Sequence, residues 1–113
     1  MKELGFRGAS LEDLKKFNHE IIQQIGYNLH RVQMGKMPND SKMMRSIGVG
    51  VREIRAKDKD GIYRAIYVAN FSDTVYVLHC FQKKETKTRK QDIDLARKRL
   101  NKLIQEKKDV RNV

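Results

Sequence analysis

Two runs rich in Val, Ile, Tyr and Phe, Ile62 to Phe71 and Thr74 to Lys83, stand almost end to end, with only Ser72-Asp73 between them. β-Branched and aromatic side chains fit a pleated, half-buried surface. Two such runs this close must fold back on each other, which predicts an antiparallel hairpin. Val49 to Arg55 reads as a third strand, joined to the first run through Asp58-Lys59-Asp60-Gly61, the residue types that turns need. A β-meander with a hydrophobic face requires helices to cover it, and the rest of the chain supplies them.

Leu11, Leu14, Phe17, Ile21, Ile25, Leu29 and Val32 recur at spacings of three and four, the period of a helix with one apolar stripe. Ser10-Leu-Glu-Asp13 resembles a capping box at its start, and Asn18 is an N-cap that divides the stretch into two helices. Gly35 and Pro38 end it. Leu4-Gly-Phe-Arg7 reads as a short edge strand and Met37 to Gly50 as a loop, where Lys42 and Arg45, with Lys36 just before it, add positive charge. After a charged loop from Glu85 to Lys90, Ile93, Ala96, Leu100, Leu103 and Ile104 mark a last helix, frayed beyond Glu106. The order β-α(α)-β-β-β-α predicts an α+β fold: a small antiparallel sheet with the N-terminal helices on one face and a C-terminal helix. The opposite sheet face is then free to work. With 113 residues, no linker and no repeat, residues 1–113 read as one domain.

Twenty-five Lys and Arg against fourteen Asp and Glu give a formal charge of +11. A domain this basic attracts polyanions, which makes nucleic acid the first partner to consider; the duller alternative is a solvated basic surface. Cys80 is the only cysteine, so no internal disulfide or multi-cysteine zinc site can form, and it reads as a small buried hydrophobe. His19 and His30 have no partner at metal-ligand spacing, and no metal or cofactor is expected. No stretch approaches the ~20 apolar residues of a membrane span and no hydrophobic signal core opens the chain, so a cytoplasmic protein is expected.

Strand alternation sorts the candidate chemistry. If Phe71 faces Thr74, Arg64 lies opposite Phe81 and Ile66 opposite His79, and Arg64, Ile66, His79, Phe81 and Lys83 share one face. Tyr63, Ala65, Tyr67, Tyr76, Leu78 and Cys80 share the other. The first face suits metal-free RNA cleavage, in which a ribose 2′-hydroxyl attacks the neighbouring phosphate and the 5′-oxygen leaves. Such a reaction wants a proton acceptor, fixed cations and a proton donor. His79 can take either proton role near neutrality, Arg64 can grip a phosphate through two parallel hydrogen bonds, and Lys83 supplies a point charge. Phe81 can stack on a base. Each has a structural alternative: His79 as a hydrogen-bonded strand residue, Arg55 and Arg64 as surface cations on solvated strands with Glu53 paired to one of them, and the basic run from Lys83 as a solvated face or a backbone-binding patch.

Val51-Arg-Glu-Ile-Arg55, Gly61-Ile-Tyr-Arg-Ala-Ile-Tyr67, Tyr76-Val-Leu-His-Cys-Phe-Gln-Lys-Lys84 with Thr86 and Thr88, and Asp92-Ile-Asp-Leu-Ala-Arg-Lys-Arg-Leu100 together resemble the phage-derived branch of the RelE/HigB toxin family. The resemblance spans nearly the whole chain and is strongest from Gly50 to Leu100. It implies a RelE-like fold, the toxin of a type II toxin–antitoxin pair, and ribosome-associated mRNA endonuclease activity. It also implies a helix-turn-helix antitoxin from the same operon and a toxin–antitoxin hetero-oligomer. Carried over by position, Arg64 matches the phosphate-gripping arginine, Lys83 a second cation after the last strand, and Arg55 a basic position on the preceding strand. His79 is typical of this branch. Catalysis thus falls on Arg64, His79 and Lys83, and RNA binding on Arg55, Phe81, Lys84, Lys87, Arg89 and Lys90. Thr88-Arg89 replaces the usual Thr-Pro, the archetype's C-terminal tyrosine has no match, and Glu53 stands where the archetype is basic. A topoisomerase inhibitor on the same fold, or a non-catalytic RNA-binding or ribosome-binding protein, are the alternatives, because fold does not fix activity.

Overall fold

Alternation in the strands and the three-to-four period in the helices are both realised in the computed structural model, which describes residues 1–71, 73–84 and 87–111. The elements run β1 (Glu3–Phe6), α1 (Ser10–Lys15), α2 (His19–Gln33), β2 (Ser41–Met43), β3 (Val51–Asp58), β4 (Gly61–Val68), β5 (Thr74–Lys83) and α3 (Lys90–Arg111). They form a five-stranded sheet in the order β1-β5-β4-β3-β2. All neighbours are antiparallel except β1, which lies parallel to β5 along one edge.

Lys59 and Asp60 form the β3–β4 turn. The Asp60 N–H donates to Asp58 Oδ1 at 2.8 Å, and Gly61 takes a φ of 147° that other residues avoid. Asn18 caps α2 as expected, its Oδ1 accepting from the Ile21 N–H at 3.0 Å. The capping box at Ser10 does not form. Ala9 is the N-cap of α1, and the Ser10 hydroxyl is drawn inside to donate to the Val77 carbonyl at 3.2 Å. The stretch from Met37 to Gly50 is not all loop, since Ser41–Met43 adds an outer strand to β3. The last helix does not fray after Glu106 but continues to Arg111.

Ile21, Ile25, Leu29 and Val32 of α2 bury their stripe against Ile54, Ala56, Tyr63, Ala65, Tyr67, Val75, Val77 and Cys80 on one sheet face. The other face is only partly free. Ala96, Leu100 and Leu103 of α3 pack there on Val51, Ile66, Val68, Leu78 and Phe81, closed by Met44 and Ile47. The expectation of one fully open face is corrected by this contact: three apolar residues of α3 find apolar partners on the far side of the sheet.

The predicted pairings Arg64↔Phe81 and Ile66↔His79 are both present, but the two-residue turn behind them is not. β4 ends at Val68, so Phe71 does not face Thr74; Ser72 of that turn lies outside the described residues, as do Glu85 and Thr86 of the charged loop. A bulge restores the account. After Ile66↔His79 the next pair is Tyr67↔Val77, leaving Leu78 as the extra residue. Leu78 and Tyr76 therefore move to the His79 side, away from the Tyr63 set with which simple alternation grouped them.

Candidate functional site

Arg55 on β3 and Arg64 on β4 stand directly opposite each other. Like charges in facing positions repel, so the arrangement needs compensation. Glu53, one alternation step along β3, supplies it: Glu53 is fully buried, and its Oε1 lies 3.2 Å from Arg64 Nε, itself 1% exposed as a residue. The other carboxylate oxygen accepts from the Thr88 hydroxyl at 2.9 Å, tying the segment before α3 to the strand. Lys83 pairs across β5 and β4 with Ile62, two residues beyond the Arg64↔Phe81 pair, and so returns to the same face.

These groups are incompletely satisfied. The Arg64–Glu53 approach is close in distance but not aligned as a hydrogen bond. Arg64 Nε, Glu53 Oε1 and Lys83 Nζ are all closed to solvent and lack a hydrogen-bond partner among the described residues. Native proteins pair nearly all such atoms, so three together on one stretch of the sheet stand out. Burial pulls the Arg64 pKa below its ordinary value, with Glu53 pushing it back up; an arginine nonetheless stays charged. Lys83 is lowered too, by burial first and then by repulsion from Arg64, with Lys42 and Arg55 adding to it against the pull of Glu53. An ammonium in that setting gives up its proton more easily than one in water.

Of this group Arg55 and Arg64 line a cleft of about 130 Å³, together with Asp40, Ser41 and Lys42. Arg55 is half exposed, its Nε 3.9 Å from Asp40 Oδ2. Lys42 is exposed on β2, facing Glu53 across the strand pair. The sequence marked Lys42 only as extra loop charge, because a three-residue strand is too short to show alternation.

The other expected site residues fall elsewhere. His79 is buried under α3: its Nε2 lies 2.7 Å from Asp92 Oδ1, and its ring stacks on Phe81 with centroids 4.8 Å apart. Its Nδ1 is closed to solvent and without a partner among the described residues. Phe81 is 8% exposed in the α3 core, so it is not the open base platform expected of it; one face of its ring is taken by the imidazole. Lys84, Lys87 and Lys90 are exposed around the segment between β5 and α3. Arg89 is exposed as well, with Nε 3.3 Å from Asp92 Oδ2. Asp92 escaped the sequence reading; an acidic residue in a helix's first turn was its only signal. Cys80 is buried, which pushes its thiol up to about 12 and leaves it unreactive. Among the described residues no group of His, Cys, Asp and Glu could hold a metal ion, and no helix is long and apolar enough to cross a membrane.

Comparison with known proteins adds two findings. A family model described as phage derived protein Gp49-like matches residues 12–101. A solved structure of the E. coli toxin RelE, a double arginine-to-alanine mutant in the free state, superposes with a TM-score of 0.65 over 87% of this chain and 96% of that one, at 19% identity. The chain therefore has the RelE fold. No curated protein matches the sequence.

Proposed function

With residues 12–101 matched by its model, the chain belongs to the phage-derived Gp49-like family, and from that premise we propose that it is a toxin that cleaves mRNA on the ribosome, working at the cleft of Lys42, Arg55 and Arg64 with Lys83 beside Arg64 on the same sheet face. The observation that carries the reading is the set of buried, unpartnered polar atoms on Arg64, Glu53 and Lys83 beside a basic cleft.

A phosphodiester in the cleft adds an anion where cations outnumber the carboxylates of Glu53 and Asp40. The 2′-oxygen attacks phosphorus, the bond to the 5′-oxygen breaks, and the products are a 2′,3′-cyclic phosphate and a free 5′-hydroxyl. Negative charge peaks on the phosphorane, where Arg64, fixed by Glu53, and the half-exposed Arg55 and Lys42 oppose it without reorganising. Lys83 protonates the departing 5′-oxygen, since its setting loosens the ammonium proton. The 2′-hydroxyl proton passes to water. Fixed cations do here what a metal ion does in other nucleases, so the chemistry calls for none. His79, joined to Asp92, fastens α3 to β5 in this reading instead of moving protons.

Growth arrest on expression, relieved by a helix-turn-helix antitoxin encoded beside the gene, is the expected cellular behaviour, with the cytoplasm as the place of action. The deciding experiment maps mRNA 5′ ends after brief induction of the wild type and of Arg64→Ala. New ends in the wild type that vanish in a folded variant support the reading. The same ends from folded Arg64→Ala would overturn it.

A further inference from the structure

At the β1 edge of the sheet, beside α3, lies a second basic hollow of about 220 Å³, lined by Arg7, Gly8, Leu95, Lys98, Arg99 and Lys102. Helical spacing brings Leu95, Lys98, Arg99 and Lys102 together, because residues three, four and seven apart share a face. Arg7 follows directly on β1.

Two of its cations are fixed in place. Arg99 Nη1 donates to the Leu78 carbonyl at 2.8 Å. Its guanidinium lies against Gly8, where a Cβ would come within 2.4 Å of Arg99 Nε; Gly8 also holds a φ of 54°, which other residues adopt reluctantly. Arg7 Nη2 is 2.7 Å from Glu106 Oε2, and that hydrogen bond holds the Glu106 carboxyl below its ordinary pKa. Lys98 and Lys102 stand exposed at the rim. Four cations face one carboxylate, and side chains already fixed lose little entropy on meeting an anion. Apart from Leu95 the lining is charge and backbone, with no aromatic ring to stack on a base. Such a site reads phosphate and not sequence.

We propose that this hollow is a second RNA site, taking the phosphodiester backbone of structured RNA such as that of the ribosome, separate from the strand in the cleft. The proposal rests on the cleavage reading for its biological setting, but its chemistry stands alone.

The test uses the full chain and an RNA hairpin made non-cleavable by 2′-O-methylation, with affinity measured across a range of salt. Lys98→Ala/Lys102→Ala is compared with Lys15→Ala/Lys16→Ala, which removes equal charge from exposed α1. Removing two phosphate contacts should flatten the log–log salt slope by about 2 in the first variant. The α1 variant should stay near the wild-type slope. Equal slopes for the two variants, or a wild type that does not bind the hairpin, would overturn the proposal. So would a variant that keeps its RNA slope but loses its complex with the neighbouring antitoxin, since the hollow would then serve an acidic protein. Because the hairpin is not cut, the result is independent of Arg64, and failure of the cleavage reading would be told apart from failure of this one.

Discussion

Glu53–Arg64 and His79–Asp92 are two acid–base pairs on the same sheet face, and both are nearly dry: their side chains are 0% and 2% exposed in the first and 8% each in the second. They differ in what covers them. Asp92 comes from α3 itself, so the His79 pair closes a helix onto a strand, and Phe81 seals the ring. Glu53 comes from the neighbouring strand, and Arg64 still lines an open cleft. Burial of a charge therefore does not by itself reveal its task; what remains unsatisfied, and whether a ligand can reach it, does.

The sharpest way to break that contrast is to remove Arg64. Arg64→Ala should lower cleavage by about 10²–10³-fold, the usual cost of one fixed donor to developing charge. Removing one partner of a buried pair can cost about 3–5 kcal/mol, whereas replacing both by apolar side chains of similar volume is often neutral. Glu53→Leu/Arg64→Met should accordingly fold, melt near the wild type and be inactive. An active double variant would mean that the pair serves stability and not chemistry.

Lys83→Met should cost about 10²-fold in cleavage, at the lower end for a proton donor. It should also raise Tm by a few degrees at neutral pH, because the ammonium is held in a setting that disfavours its charge. The folded-state pKa of Lys83 lies below its ordinary value. Between those two values, in the alkaline range, the unfolded chain binds more protons, so wild-type stability rises with pH there. Lys83→Met should flatten that rise. Denaturant melts of both proteins across the range test the sign, and a steeper rise in the variant would refute it.

The His79 pair predicts the opposite balance. His79→Gln should lose about 1.5–3 kcal/mol, the scale of a hydrogen bond to a charged group, with single-turnover cleavage per folded molecule little changed. Unchanged melting with about 10²-fold slower cleavage would return His79 to the proton-moving role that its sequence context suggests.

That divergence shows how far the residues alone could carry the reading. Local signals survived: the α2 stripe, the Asn18 cap, the Asp58–Gly61 turn and the pairing of Arg64 with Phe81 all depend on near neighbours. Signals that depend on distant partners did not. Leu78 bulges, and the strand's alternation cannot announce that. Ser10 prefers the Val77 carbonyl to its own helix end, a choice made by packing. The face grouping of Arg64 with Lys83 was legible from parity, but its division into a covered half and an open half was not. Whether an amphipathic helix such as α3 lands on one side of a sheet or the other is set by the whole core.

The smallest effect separates positioning from mere proximity. Thr88 donates to the Glu53 oxygen turned away from Arg64, and so fixes the carboxylate that in turn orients the guanidinium. Thr88→Val keeps the shape and removes the donor. Thr88 is only half-buried, so water can replace part of the bond, and the stability loss should be about 0.5–1.5 kcal/mol. A carboxylate free to swing holds Arg64 less firmly, so cleavage should fall severalfold while RNA binding, measured at the exposed lysines, stays the same. Thr88→Ser restores the hydroxyl and should recover both stability and rate. If Thr88→Val cleaves like the wild type, Glu53 is held well enough by the strand and by Arg64. If Thr88→Ser fails to rescue a slow Thr88→Val, the lost methyl packing and not the hydrogen bond sets the geometry of the open pair.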